Sequence, residues 1–403
     1  MNQKSNLGFY FHIPFCPHIC PYCDFTKTSQ FQKKDIDVYF QELLQQLEYF
    51  LTILYPSGKS VSDDNKYTTA YFGGGTPGLF NAKFYNPLLN KLREYFILEE
   101  VTLETNPHTN SEKNFRDYRN AGFDRITLGA QSLCPNTLKT LGRKHSPKDI
   151  LTNIEWAKKS GFDNIQVDLI YGLKKEIRTL NVDEEIELLH AAGATGISAY
   201  FLTIEKRTLF ANSNLVDEEN GVEEYFKILA KCKELGFTQI ETSNFSKFEA
   251  KHNNLYWYGM PYFGIGTGAH GLLPATDEHP YGIRYKVGDN IKSSAPGDDI
   301  LIYRDDEKCK NNFQIVYEKP RSKQEYIEES IFTLLRTPLG IDLNWLVKNT
   351  GDQNIVQKLL KNARIERALK EGKLFCTETH VYLNAEEKIR GDAWALEFIS
   401  SIF

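Results

Sequence analysis

Six short β-rich runs, each followed by a helical pattern, constrain this chain more than any other feature. They are GFYFHI at 8–13, TTAYFGG at 68–74, VTLET at 101–105, RITLG at 125–129, NIQVDLI at 164–170 and GISAYFL at 196–202. Between the first two, Ile36, Phe40, Leu43, Leu44, Leu47, Phe50, Leu51 and Leu54 recur at three- and four-residue spacings. That spacing predicts a helix over 36–54 with one broad apolar face, which has to pack on a sheet. Further helices are predicted at 82–96, 111–121, 147–160, 181–192 and 220–235, several of them closed by a glycine such as Gly122, Gly161 or Gly236. Successive βα units imply an α/β fold whose parallel strands are joined by right-handed crossovers, either doubly wound or rolled into a barrel. Polar or glycine residues follow several different strands: Cys16 to Cys23, Gly73 to Thr76, Glu104, Gln131 and Asp168. A barrel gathers such strand ends at one mouth, so the pattern favours the barrel.

The stretch 286–322 is rich in Lys, Asp, Asn, Ser and Pro, with β-like runs such as ILIY, and is predicted to be an irregular connection. It divides a domain over 1–285 from a C-terminal module over 323–403. In that module a helical EYIEESIFTLLRT, a turn at Pro338-Leu339-Gly340, more helix and a hairpin-like GKLFCTETHVYLN resemble a small winged-helix-like unit. At 403 residues, 41% hydrophobic and 25% charged, the chain has material for one large and one small core. A net charge of -5 provides no broad basic surface, which argues against nucleic acid as a partner. No run approaches the ~20 apolar residues of a membrane helix, and the opening MNQKSN has no secretory core, so the expectation is a cytoplasmic protein without stable membrane insertion.

Seven cysteines are too few for a disulfide scaffold in a chain of this length, and three of them fall within eight residues. The run Cys16-Pro17-His18-Ile19-Cys20-Pro21-Tyr22-Cys23 follows directly on the first strand. Iron-sulfur clusters take thiolates, and three thiolates on a four-iron cluster leave one iron corner open. The competing use of the same thiols is a zinc site with His12 or His18 as fourth ligand. After the second strand, Gly73-Gly74-Gly75-Thr76-Pro77 lacks the Cβ atoms that would hold a ligand away from the backbone.

The cysteine loop and the glycine run together resemble the radical S-adenosylmethionine (SAM) superfamily. There the three thiolates hold a [4Fe-4S] cluster whose open iron is chelated by the amino and carboxylate groups of SAM. The resemblance narrows to the oxygen-independent coproporphyrinogen III oxidase-like family, which contains a decarboxylating branch and a haem-chaperone branch. It rests on Tyr10 to Cys16, Gly73 to Pro77, Leu103 to Pro107, Gly129 to Ser132, Leu141 to Arg143, Asp168-Leu169 before Gly172, His252 to Trp257 and Gly264 to Gly271, which together span nearly the whole chain.

The resemblance implies a partial (β/α) barrel of the radical-SAM type and a set of site residues. Cys16, Cys20 and Cys23 are the cluster ligands, and Tyr10, Gly74 and Glu104 contact the cluster-bound SAM. Tyr22, Gly75, Thr76, Gln131, Arg143 and Asp168 line an adjoining position, where the decarboxylating branch places a second SAM. These residue types suit those parts: Glu104 for an ammonium or sulfonium, Arg143 for a carboxylate, Asp168 for ribose hydroxyls.

The decarboxylating branch has a further cysteine two positions after the third cluster ligand, whereas Phe25 stands here. The HNxxYW motif of the chaperone branch is intact as His252-Asn253-Asn254-Leu255-Tyr256-Trp257. The implied function is therefore haem binding and delivery to an acceptor protein, with His252 as axial ligand and Tyr256 and Trp257 stacked on the macrocycle. A bracing role for a buried His252 is the plain alternative, in which case ligation moves elsewhere, for example to His270. Two departures touch no proposed ligand: Lys174 stands where the family usually has proline, and Thr267 where some members have cysteine.

Overall fold

The computed structural model describes residues 6–58, 66–288 and 313–403. Its first half follows the alternation read above. Strands β1 (Gly8–Ile13), β2 (Tyr67–Gly74), β3 (Ile97–Thr105), β4 (Arg125–Gln131), β5 (Asn164–Tyr171) and β6 (Gly196–Phe201) lie side by side in chain order, every pair parallel. The helices between them are α1 (Lys33–Leu54), α2 (Asn86–Arg93), α3 (Glu112–Ala121), α4 (Pro135–Thr140), α5 (Pro147–Lys159) and α6 (Val182–Ala192), with α7 (Glu218–Glu234) after β6. Ser111, Ser146 and Asn181 start α3, α5 and α6 with reciprocal capping boxes, and Gly122 and Gly193 end α3 and α6 in the left-handed conformation.

Beyond β6 the chain adds β7 (Thr238–Gln239) and β8 (Asn244–Ser246), crosses back through α8 (Lys251–Trp257), and pairs β9 (Tyr262–Ile265) parallel to β1. Three antiparallel strands follow on that edge: β10 (His270–Leu272), β11 (Arg284–Val287) and β12 (Ile315–Tyr317). The twelve-stranded sheet runs from β12 to β7 without closing, so the barrel is partial.

Strand alternation sorts the two faces of the sheet. Phe9, Phe11 and Ile13 are fully buried on the helix side, where Phe9 stacks on Phe263 and Phe11 on Phe72. The register sets Tyr10 beside Tyr71, His12 beside Gly73, and Asp168 between Gly129 and Ser198, so the inner face of the parallel strands is largely polar.

Four local expectations need correction. The helix expected over 82–96 is a 3-10 turn at Ala82–Phe84 followed by α2, because Pro87 supplies a fresh first turn. β3 begins at Ile97, four residues before the predicted run. Helix α4 and strands β7 to β12 were not anticipated; most are too short to show a period. The connection expected over 286–322 is bracketed by β11 and β12, which pair with each other; residues 289–312, including ILIY and Cys309, lie outside the described residues.

The C-terminal residues build a second core around Ile331, Leu335, Leu346, Ile365 and Phe398. Its elements are α9 (Lys323–Arg336), β13 (Ile341–Asp342), α10 (Leu343–Thr350), α11 (Ile355–Leu360), α12 (Ala363–Lys370), β14 (Leu374–Cys376), β15 (His380–Leu383) and α13 (Gly391–Ile402). The three strands pair antiparallel in the order β13-β15-β14. This core is tied to the barrel where the Tyr225 hydroxyl donates to the Ala385 carbonyl at 2.9 Å and Arg336 meets Glu241 at 3.2 Å.

Candidate cluster and cofactor site

The loop after β1 is folded back on itself. Cys16 N–H donates to the Thr28 carbonyl at 2.9 Å and Thr28 N–H to the Pro14 carbonyl at 2.8 Å, closing the cysteine segment by a parallel bridge between Phe15 and Thr28. Within it Cys23 N–H donates to the Cys20 carbonyl at 3.2 Å, and Lys27 Nζ donates to the Cys23 carbonyl at 2.7 Å. The glycine run is pinned to the same loop through Gly75 N–H to Ile13 O at 2.8 Å and Thr76 N–H to Phe15 O at 2.9 Å. A Cβ at Gly74, where φ is +114°, would lie 2.7 Å from the His12 ring, and one at Gly75 would lie 2.7 Å from the Phe15 carbonyl. Only glycine allows these two loops to approach so closely.

Cys16, Cys20 and Cys23 face one cavity of about 400 Å³ at the C-terminal ends of the strands. Tyr22, Gly74, Gly75, Thr76, Glu104, Gln131, Arg143 and Asp168 line the same cavity, the two glycines with backbone and the others with side chains. Tyr10 is not among the lining residues. It stands on β1 one layer below, with its hydroxyl 3.0 Å from His12 Nδ1 and its ring beside Tyr71. There it flanks Glu104, whose charge acts on its hydroxyl.

The electrostatics follow from burial. The Cys16 thiol is pushed up to about 11 chiefly by desolvation, and Cys23 is raised for the same reason, so bare thiols here keep their protons until a metal displaces them. Arg143 donates to Cys20 Sγ at 3.3 Å and to the Gly129 carbonyl at 2.6 Å, placing a fixed cation beside the thiol. Glu104 accepts from the Tyr71 hydroxyl at 2.7 Å and from Gly74 N–H at 3.0 Å; burial raises its carboxyl while those two bonds oppose the rise. Asp168 is pushed up to about 7, first by burial and then by neighbouring Glu104, and its Oδ1 is buried with no partner among the described residues. Gln131 is the single non-glycine residue with positive φ among those described, at +67°, and it sits at a register shift between β4 and β5. Such strain concentrates where a side chain is aimed at a ligand.

Two residues to which the sequence reading gave no role support the wall. Asn106 donates to Thr76 Oγ1 at 2.9 Å and accepts from Arg143, joining the strand ends of β2, β3 and β4. Tyr71 holds Glu104 from below. Asn106 sits inside the Leu103 to Pro107 motif and Tyr71 two residues before Gly73, which was the available signal; their partners come from tertiary pairing.

The zinc alternative finds no fourth ligand in His12. Its Nε2 lies 2.7 Å from the Thr26 carbonyl and its Nδ1 is engaged by Tyr10. His18 Nε2 stands 3.7 Å from Cys20 Sγ, as a neighbour of the thiol. Three soft donors on one loop, a cavity too large for one ion and an orphaned carboxylate oxygen on its far wall fit a cluster with a polar organic ligand.

His252, expected as a haem ligand, is fully buried where α8 packs on β2 and β3. Its Nδ1 lies 2.8 Å from Thr69 Oγ1 and its Nε2 2.7 Å from the Tyr256 hydroxyl, while its ring packs on Tyr71. Burial lowers its basicity to about 3, so it is a neutral brace with both nitrogens engaged, and this conformation offers no lone pair to iron. The cap of its helix explains the placement: Glu100 accepts from the N–H groups of Lys251 at 2.9 Å and His252 at 3.0 Å. His270 is exposed on β10 at the far side of β9.

A three-thiol loop beside a glycine-lined mouth on a partial βα barrel defines the radical SAM class, and residues 10–179 match the family model of the Radical SAM superfamily. That membership brings a [4Fe-4S] cluster and SAM, which the cavity fits. In overall fold the chain superposes on "Coproporphyrinogen III oxidase (HemN) from Escherichia coli" with a TM-score of 0.73, covering 99% of this chain and 90% of that one at 16% identity, a likeness of fold alone. Sequence similarity is more specific. The chain is 34% identical to "Heme chaperone HemW" of Lactococcus lactis, over 85% of this chain and 84% of that protein. It is 30% identical to the Bacillus subtilis protein of the same name, over 95% and 96%, and 32% identical to that of Haemophilus influenzae, over 92% and 100%. The chain belongs to the HemW family.

Proposed function

We propose that this chain is a haem chaperone: it carries a [4Fe-4S] cluster on Cys16, Cys20 and Cys23, binds SAM at the barrel mouth, takes up haem, and hands it to an acceptor protein. The observation that carries the reading is similarity at 30–34% identity to heme chaperones over 84–100% of their length. Phe25 supports it, because the decarboxylating branch has a cysteine there. Among the described residues no helix is long and apolar enough to cross a membrane. Free thiols at the cluster loop suit a reducing compartment, for which we propose the cytoplasm.

A cluster held by Cys16, Cys20 and Cys23 would supply one-electron chemistry at the sulfonium of SAM when bound. The chain's own part is positional. Glu104 and the Gly74 backbone receive the cationic end, Arg143 a carboxylate, and Asp168 hydroxyl donors, while Tyr22 and Gln131 shape the adjoining space.

Anaerobic reconstitution followed by iron, sulfide and haem quantification on one sample tests this assignment. The expected result is four iron and four sulfide per chain, with haem bound and transferred on addition of an apo-acceptor. Incubation with coproporphyrinogen III, SAM and a reductant should leave the substrate unchanged; formation of protoporphyrinogen overturns the chaperone reading. The yield of 5′-deoxyadenosine in the same mixture decides whether SAM is cleaved.

A further inference from the structure

The fold contains a second cavity, of about 320 Å³, between α8 and the C-terminal module. Four aromatic side chains line it: Trp257 and Tyr258 from the end of α8, Tyr326 from α9, and Trp345 from α10. His380, on β15, and Asp342, on β13, also line it. We propose that this cleft, which rests on the haem reading above, is the seat of the haem macrocycle, with His380 Nε2 as the axial ligand to iron.

The chemistry matches on three counts. A metalloporphyrin is a flat apolar disc, and flat rings provide the largest contact for it. Tyr326 stacks on Tyr281 at 4.9 Å and stands 6.0 Å from Trp345, so this wall is already ordered as a group of rings. Second, His380 is prepared as a ligand. Its Nδ1 is 2.9 Å from Thr379 Oγ1, which fixes the ring and leaves Nε2 without a hydrogen-bond partner among the described residues. Its strand is held opposite Asp342 in the small sheet, and Asp342 in turn caps α10 through the N–H groups of Asn344 and Trp345. The ligand and the Trp345 wall therefore belong to one rigid unit. Third, Trp257 Nε1 is buried and finds no acceptor among the described residues, and Arg336 lies 4.9 Å over the same indole. A donor without a partner and a neighbouring guanidinium suit the carboxylates of the porphyrin edge.

This placement also accounts for the HNxxYW segment without an iron bond to His252. The helix turns His252 inward to Thr69 and carries Trp257 outward to the cleft.

Haemin titration of the anaerobically purified full chain tests the site. Wild type is expected to bind one haem with a histidine-ligated Soret band. His380→Ala should weaken binding at least tenfold and shift that band, added imidazole should restore the spectrum, and Trp345→Ala should weaken binding with the band position kept. His380→Gln guards against a folding artefact, since it keeps the side-chain volume; both His380 variants should match wild type in melting temperature and in reconstituted iron and sulfide. If wild type binds haem and both His380 variants bind it with the same affinity and spectrum, this site is wrong while the chaperone reading stands. If wild type takes up no haem, both fall.

Discussion

Asp168 makes the site sensitive to pH. Its carboxyl is raised from an ordinary value of 3.8 to about 7, so the folded chain binds its proton more tightly than the unfolded chain. The associated stability is complete below the unfolded value and is lost as pH rises through about 7. A ligand that donates hydroxyls to the orphaned Oδ1 selects the ionised form. SAM affinity measured by calorimetry should therefore tighten between pH 6 and 8, by up to roughly tenfold per unit below the folded value. Asp168→Asn should flatten that profile and weaken binding; a flat wild-type profile removes Asp168 from the ligand. Gly74→Ala is expected to cost about 1–2 kcal/mol from the left-handed backbone alone, before its contact with His12, and should be read as a lower denaturation midpoint with poor iron retention. The site was legible in sequence wherever the chemistry demanded an uncommon residue type: three soft donors on a short loop, and glycines where backbone meets backbone. The surroundings of Tyr10, Asn106 and His252 were not legible in sequence. Whether a tyrosine lines a cavity or supports it, and whether both imidazole nitrogens are engaged, depends on partners such as Thr69, 183 positions away in the chain from His252.

The elements behind the mouth are locked by a buried ion group that no motif announces. Arg178 lies between Glu185 and Glu224, with side chains 3%, 0% and 6% exposed. Glu185 also accepts from Ser132 Oγ at 2.8 Å and Leu133 N–H at 3.0 Å, and Glu224 from Gly172 N–H at 2.7 Å. The group thus fixes the loops that follow Gln131 and Asp168. Arg178→Met should cost about 3–5 kcal/mol in urea unfolding, because two buried carboxylates lose their counter-charge. Restoring stability by adding Glu185→Gln and Glu224→Gln would identify that cause. At this scale, the long elements were readable from period alone, and β1 and β5 came within a residue. The strands from β7 to β12 were not, since two to four residues carry no period and their pairing is set by distant chain.

For the molecule as a whole, His252 as axial ligand implies that His252→Ala weakens haem binding and spares the cluster and SAM. The buried geometry sets a structural expectation beside it. Removing the imidazole leaves a void beside Tyr71 and strips Thr69 and Tyr256 of a partner, so a loss of about 2–4 kcal/mol of stability is expected. Weaker SAM binding should accompany it, because Tyr71 holds Glu104. Normal stability and SAM affinity in the variant, with haem binding abolished, would return His252 to the iron.

Helix α8 is a wall shared by two rooms: one face abuts the pillar that ends at Glu104, the other carries the Trp257 indole. With haem in the proposed cleft and SAM at the mouth, cargo on one side and nucleotide on the other would meet the same seven-residue helix. By linkage, whatever factor SAM imposes on haem retention, haem must impose on SAM. A carrier built this way has the means to let go of its load when the opposite chamber changes state, with no moving domain required.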